Sequence, residues 1–279
     1  VKARLHQKGY TMSSTQIEPY EVYALRYAHH ERPARDNFLF SDDIHDGPQR
    51  LDFFVWVIRG NGKNYLVDLG FDHAGAERRG RSITRLPSDA LGMLDIEANS
   101  IEDVIVTHLH YDHAGDLNAF PNARLYLQER ELAFATSRHM GMASVRMAFD
   151  VEYVCDFVRA VYDERVVFVD GSREIAPGIS LHHIGGHTDG HQAVRVWTKS
   201  GWLVLASDAI HLYANRDLNN PFPIVHNVTE MVAGYARLDE LATRRDLIIP
   251  GHDPLVLERF PCPSKEFEGE LARLDLGPA

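Results

Sequence analysis

Residues 106 to 116 read VTHLHYDHAGD, three histidines and two aspartates in eleven positions. His108, His110, Asp112 and His113 are side chains that bind divalent cations. Left unpaired in so small a volume they would be costly, so a metal site accounts for them. The His-x-His spacing lets two imidazoles of a turning loop converge on one cation, while Asp112 and His113 point to a neighbouring position. A catalytic zinc usually takes three protein ligands and keeps one position open, which would leave this cluster with a ligand over. The spacing therefore predicts two cations.

Further ligands must come from elsewhere, and three segments offer them. His187 stands in IGGHTDGH, Asp208 in VLASDA and His252 in LIIPGHD, each at the end of an apolar run. The set closes with His108, His110 and His187 on one cation, Asp112, His113 and His252 on the other, and Asp208 bridging. His191, four residues after His187, precedes a resumed strand and is read as a packing or supporting residue. His30, His139 and His226 stand alone and are read as solvated or packed.

The elements that must position these residues follow from periodicity. LDFFVWVIRGNGKNYLVDLG reads as a hairpin about Gly-Asn-Gly, and QAVRVWTKSGWLVLAS as a second hairpin turning at Lys199 to Gly201. IEDVIVT is a short buried strand ending where the histidines begin, and ARLYLQ, RVVFVD, ISLHHIGG and LIIPGHD are further strands. Helices are predicted at ERELAFATSR, around 145 to 161, and at VTEMVAGYARLDELATRRD with Thr229 as its cap. Hairpins and crossovers in both halves predict an α/β fold of mixed sheets with helices packed outside. The candidate ligands fall at strand ends, where open α/β sheets bind their ligands.

A chain of 279 residues with 44% hydrophobic and 25% charged residues has an ordinary globular composition, and its net charge of −11 argues against a nucleic-acid partner. The densest basic cluster, RRGR at 78 to 81, is read as a solvated loop. Cys155 and Cys262 match no metal or redox spacing, so no disulfide framework is expected. There is no apolar run of membrane-spanning length and no secretory h-region, which predicts a cytoplasmic protein without a membrane partner. Residues 1–11, ahead of Met12, are read as an added or disordered leader, leaving 12–279 as one hydrolase domain.

THLHYDHAGD, with GGHTDGH, SDA and PGHD following in that order, resembles the metallo-β-lactamase superfamily and specifically its N-acyl-homoserine lactonase family, from about residue 20 to 260. YLVDLGF extends the resemblance, Asp68 matching the aspartate that supports the superfamily's metal loop. The resemblance implies an αβ/βα four-layer sandwich of two mixed β-sheets flanked by helices, with two Zn(2+) ions, although other divalent metals suit the same donors. It implies a small-molecule substrate, an acyl lactone, opened by a hydroxide that the metals share, with Asp112 passing a proton to the leaving alkoxide. It also permits a homodimer.

Relatives in this group carry a tyrosine three residues after the bridging aspartate. Here that position is His211, and Tyr213 follows two residues later, so one of the two is expected to assist at the carbonyl. The alternative is a related metallohydrolase acting on another lactone, an ester or a thioester, as glyoxalase II does. The acidic tail SKEFEGELARLDLGPA disfavours glyoxalase II, whose C-terminal region is basic. Met140, Met142, Met147 and Phe149, or Phe38, Leu39 and Phe40, are the candidate walls of an acyl groove.

Overall fold

The computed structural model describes residues 17–41 and 46–279, so the predicted leader at 1–11 lies outside the described residues. The first part of the chain supplies β1 (Glu21–His30), β2 (Leu51–Gly60), β3 (Lys63–Val67), β4 (Ser82–Ile83), β5 (Asp103–Ile105), β6 (Arg124–Gln128) and β7 (Val166–Val169). A second sheet follows from β8 (Ser172–Ala176), β9 (Ile179–His183), β10 (Gln192–Thr198), β11 (Gly201–Ser207) and β12 (Ile248–Pro250), after which β13 (Leu271–Arg273) returns to the first. The orders are β13-β1-β2-β3-β5-β6-β7, with β4 beside β1, and β12-β11-β10-β9-β8. Both sheets are mixed: β3, β5, β6 and β7 run parallel, as do β11 and β12, while the hairpins are antiparallel.

β2 shows why the sheets stack. Phe53, Val55 and Val57 face one apolar layer, and Phe54, Trp56 and Ile58 face the other, the period-two alternation of a strand buried on both sides. The layer between the sheets joins Phe54, Trp56 and Val67 to Leu181, Val194, Leu203 and Ile249. On the outer face of the first sheet lie α1 (His73–Arg79), α2 (Pro87–Ala90), α3 (Glu129–Ala135) and, beyond the short α4 (Ala143–Arg146), α5 (Val151–Tyr162). Next come α6 (Tyr213–Asp217), α7 (Val228–Leu241) and α8 (Leu255–Arg259). Met231, Tyr235, Leu238 and Leu241 of α7 pack on Ala193, Val204 and Ile248, completing a helix, sheet, sheet, helix sandwich. The expected fold is the observed one.

Both predicted hairpins form. Asn61 and Gly62, at φ 53° and 73°, give the first the two left-handed residues that a tight hairpin turn requires. Other expectations are corrected. Asn227, not Thr229, caps α7: its Oδ1 accepts from the backbone N–H groups of Thr229 and Glu230 at 3.0 and 3.2 Å. The stretch 145 to 161 is two helices, because the Asp150 side chain accepts from Glu152 N–H and starts α5 afresh. The C-terminal residues are not a free tail. β13 pairs with the edge of β1, and the buried Asp275 accepts from Val22 N–H and the Arg273 guanidinium. Both cysteines are free, as expected.

Candidate metal centre

β3 and β5 lie side by side, and the chain beyond each builds the first part of the site. Just past β3, Asp68 adopts φ 63° and is fully buried. Its carboxylate accepts from Thr107 N–H at 2.7 Å, Thr107 Oγ1–H at 2.8 Å and His113 Nδ1–H at 2.7 Å. The backbone and the ring of the histidine loop are thereby tied to one carboxylate. Gly115 lets the loop close, since a Cβ there would lie 2.7 Å from Phe71 Cα.

The other ligands are oriented in the same way. His187 Nδ1–H donates to the Ile224 carbonyl at 2.8 Å and His252 Nδ1–H to the Asp52 carbonyl at 2.9 Å, which turns each Nε2 inward. Asp208, one residue past β11, stands between them. Its Oδ2 lies 3.2 Å from His187 Nε2, 3.0 Å from His211 Nε2 and 3.8 Å from His108 Nε2. Its Oδ1 lies 3.0 Å from His252 Nε2 and 3.2 Å from His113 Nε2. One carboxylate thus faces two sets of histidines with two different oxygens. Gly251 makes room for it, because a Cβ there would lie 2.5 Å from Asp208 Oδ1.

The donors group as the spacing predicts. His108, His110 and His187 have ligand atoms within 4.8 Å of one another, and so do Asp112, His113 and His252. His108 with His113 and Asp208, and His187 with Asp208 and His211, meet the same limit, so the seven predicted ligands come together with His211 added. His108 Nε2, His113 Nε2 and Asp208 Oδ1 are buried without a hydrogen-bond partner. Unpartnered inward-facing nitrogens around a carboxylate are the donor set of a divalent cation, and the residues fit the expected metals. Burial and the neighbouring imidazoles push His108 and His110 well below the usual histidine range, so both are neutral and able to coordinate. Burial opposes ionisation of Asp208, but His211, His252, His113 and His187 hold its carboxyl well below the usual carboxylate range.

Glu131 is a residue that sequence reasoning missed. It is fully buried in the first turn of α3 and accepts from Leu109 N–H, Thr188 Oγ1–H and Gly190 N–H at 2.9, 2.7 and 2.8 Å. It therefore locks the loops of His108–His110 and His187 together. In sequence it is one acidic residue of an amphipathic helix, with nothing to signal this. His191 is fully buried, its ring 5.2 Å from that of His108 and both ring nitrogens without a hydrogen-bond partner among the described residues. Asp68→Ala should weaken divalent-metal affinity by about 10- to 100-fold, because it frees the His113 ring and leaves the Thr107 backbone N–H without its acceptor. Competition with a chromophoric chelator measures this, and unchanged affinity would remove Asp68 from the site.

Residues 54–252 match the family model of the metallo-beta-lactamase superfamily, a span that contains every predicted ligand. The chain belongs to the metallo-beta-lactamase superfamily. Within it, the chain is 29% identical over 153 residues to an N-acyl homoserine lactonase of Bacillus sp, covering 54% of this chain and 55% of that one. It is 36% identical over 148 residues to an N-acyl homoserine lactonase of Rhizobium rhizogenes, covering 49% and 50%. The match thus spans about half the length of each relative. A superfamily structure of an N-acyl homoserine lactone hydrolase with N-hexanoyl-L-homoserine at its metal centre superposes with a TM-score of 0.67 at 20% identity, over 84% of this chain and 94% of that one. A dizinc quorum-quenching lactonase superposes at 0.65 and 16% identity, over 86% and 89%. Both share the fold.

Two cavities open on the centre. One, of about 310 Å³, is walled by Phe134, Val145, Met147, Phe149 and the segment 223–226, with His110 and His187 at its base. The other, of about 120 Å³, is lined by Asp112, Asp208, His211 and His252 together with His30, Arg32, Arg79 and Arg81. Met147 and Phe149 of the expected groove line the first cavity, whereas Met142 is exposed and Met140 packs on the outer core. Phe38 packs with Leu51, Leu212 and Phe222, and Phe40 is exposed, so the stretch at 38–40 lines neither cavity.

His211 and Tyr213 part company. The His211 ring stacks on Phe222, with centroids 3.8 Å apart, and faces the centre. Tyr213 starts α6, whose turn carries its ring into the layer between the sheets, beneath the Arg259 guanidinium at 4.1 Å. Of the two alternatives, His211 lines the small cavity, whereas Tyr213 packs in the apolar layer and lines neither cavity.

Proposed function

We propose that the protein is a two-metal hydrolase that opens lactone rings, with N-acyl homoserine lactones as its reference substrates. The observation that carries this reading is Asp208, whose two oxygens face two separate histidine sets. Two zinc ions held by His108, His110 and His187 and by Asp112, His113 and His252, with Asp208 between them, would lower the pKa of water to about 7 and polarise a carbonyl. The protein's own groups do the rest. Neutral His211, held near a pKa of about 3 chiefly by burial, donates Nε2–H to Asp208 Oδ2 and steadies the shared carboxylate. Asp112 lines the small cavity and is the acid placed to carry a proton to the leaving alkoxide. The apolar wall of Phe134, Val145, Met147 and Phe149 suits an acyl chain and excludes water from it.

The test is a proton-release assay on metal-loaded protein, with N-acyl homoserine lactones of short and long chain beside S-lactoylglutathione. Lactone opening with kcat/KM above about 10⁴ M⁻¹s⁻¹ is expected. Turnover of the thioester alone would move the protein to the glyoxalase II-like alternative. In the same assay His211→Ala should lose about 10- to 100-fold in kcat/KM, as the loss of an outer support to a metal ligand does. Tyr213→Phe should stay within twofold of wild type, on the order of 0.4 kcal/mol. The reverse ranking would restore the tyrosine to the site.

A further inference from the structure

The RRGR segment does not behave as a solvated loop. Arg78 turns outward and pairs with Asp150 at 2.8 Å, but Arg79 and Arg81 line the small cavity over the metal centre. α1 ends at Arg79, and Gly80, at φ 59°, reverses the chain so that Arg81 returns to the same side. Arg32, beyond the end of β1, meets them there, and Arg32 and Arg81 also share the wider mouth of about 510 Å³ above.

Three guanidinium groups converging on one small opening need a negative partner. Among the described residues no carboxylate lies within ion-pair distance of Arg32, Arg79 or Arg81, whereas Arg26 and Arg50 share Asp52 and Arg124 pairs with Asp103. The donors that are used go to neutral acceptors. Arg79 donates to the Met147 and Phe149 carbonyls, Arg81 to Tyr111 Oη and the Arg79 carbonyl, and Arg32 to the Asp36 carbonyl. Arg32 Nε is buried without a partner. Stacking on aromatic faces, Arg79 on Tyr111 at 4.4 Å and Arg32 on Phe222 at 5.1 Å, explains how the groups are held but leaves their charge uncompensated. Burial pushes Arg32 below its usual value, Asp36 pulls the other way and Arg81 adds to the loss, while burial and then Arg81 and Arg32 lower His30. An anion in the opening would relieve the repulsion among Arg32, Arg81 and His30. Asp112 and Asp208 line the same small cavity and Glu31 and Asp36 the mouth, but none forms an ion pair with Arg32, Arg79 or Arg81, and Asp112 and Asp208 face the metal-ligating histidines instead.

We infer that the cavity selects a substrate bearing its own carboxylate, which Arg32 and Arg81 bind directly and Arg79 attracts, while the scissile ester lies at the metal centre. A carboxylate fits the donors available, since Arg32 Nε and Nη1 and Arg81 Nη2 make no hydrogen bond among the described residues and a two-oxygen acceptor can take them. The inference rests on the hydrolase reading of the same site and adds a preference for anionic lactones and esters over neutral ones.

The experiment compares, on metal-loaded protein, a γ-butyrolactone with a carboxylate on its γ-carbon and the matching neutral carboxamide. The acid should be preferred by about tenfold or more in kcat/KM, the worth of one hydrogen bond to a charged group. The preference should shrink when salt is raised from about 0.05 to about 0.5 M, because the cavity mouth is open to counterions. Arg81→Gln and Arg32→Gln should collapse the acid-over-amide ratio, chiefly through the KM for the acid, and Arg81→Lys should recover part of it. Calorimetric titration with 2-hydroxyglutarate, the opened acid, supplies a readout that needs no turnover, and Arg81→Gln should bind it about tenfold more weakly.

If both lactones are opened without preference and the variants bind 2-hydroxyglutarate like wild type, the carboxylate site is overturned and the hydrolase stands. If neither lactone is opened by protein of intact metal content, and the N-acyl homoserine lactones are not opened either, the lactonase reading falls. The titration then decides the anion site alone: tight binding lost in the arginine variants supports it, and equal binding overturns it.

Discussion

On the proposed two-metal reading, Asp208→Ala is expected to reduce the metal content of the purified protein from two ions per chain to at most one, and to lower lactone turnover by about 10³-fold, ~4 kcal/mol of transition-state stabilisation. This is the largest loss expected of a single substitution, because Asp208 sets one carboxylate oxygen against histidines of each half of the site. Oδ1 faces His113 and His252 and Oδ2 faces His108, His187 and His211. Without the carboxylate those imidazoles lose the negative charge they surround, and two adjacent cations would repel across the gap. Elemental analysis together with the proton-release assay checks both parts. A variant that retained two ions and near-normal turnover would dismiss the shared-carboxylate arrangement.

Complete removal of divalent metal with a chelator is expected to lower the unfolding midpoint by roughly 10 °C, from about 4 kcal/mol of linkage at a thousandfold excess over Kd and about 2–4 °C per kcal/mol for a chain of this size. The direction follows from the ligands. His108, His113 and Asp208 keep buried, inward-facing atoms unpartnered, and each such group costs about 1–3 kcal/mol unless something binds it. Calorimetry with and without chelator, followed by zinc re-addition, is the measurement. An unchanged midpoint after verified metal loss would mean that these groups are satisfied without a cation.

The site was more legible than the scaffold around it. HLHYDH is dense enough to announce a metal by composition alone, and His187, Asp208 and His252 each stand at the end of a strand whose periodicity is plain. Supporting residues carry no such mark. Glu131 looks like any acidic residue of a helix, and its importance arises because α3 sets it under two loops that are distant in sequence. β1 and β13 were likewise obscure. β13 is three residues long, and its identity as a strand comes from pairing with β1, a contact between the two ends of the described chain. Thr229 reads as a cap because several residues near a helix start can serve, and only backbone conformation selects Asn227.

By itself, then, the order of residues determined the α/β class, both hairpins and the seven metal-capable side chains that the fold gathers. All of these rest on local patterns: alternation along a strand, spacing within a loop, turn residues between apolar runs. Only the tertiary structure decided which way certain side chains face. Tyr213 and His211 are two residues apart, yet the turn into α6 buries one between the sheets and leaves the other against Asp208. Arg79 and Arg81 belong to a segment that reads as a solvated loop, yet Tyr111, Met147 and Phe149 draw them over the metal centre to meet Arg32. A side chain's direction depends on partners supplied by other parts of the chain, and local periodicity carries no information about them.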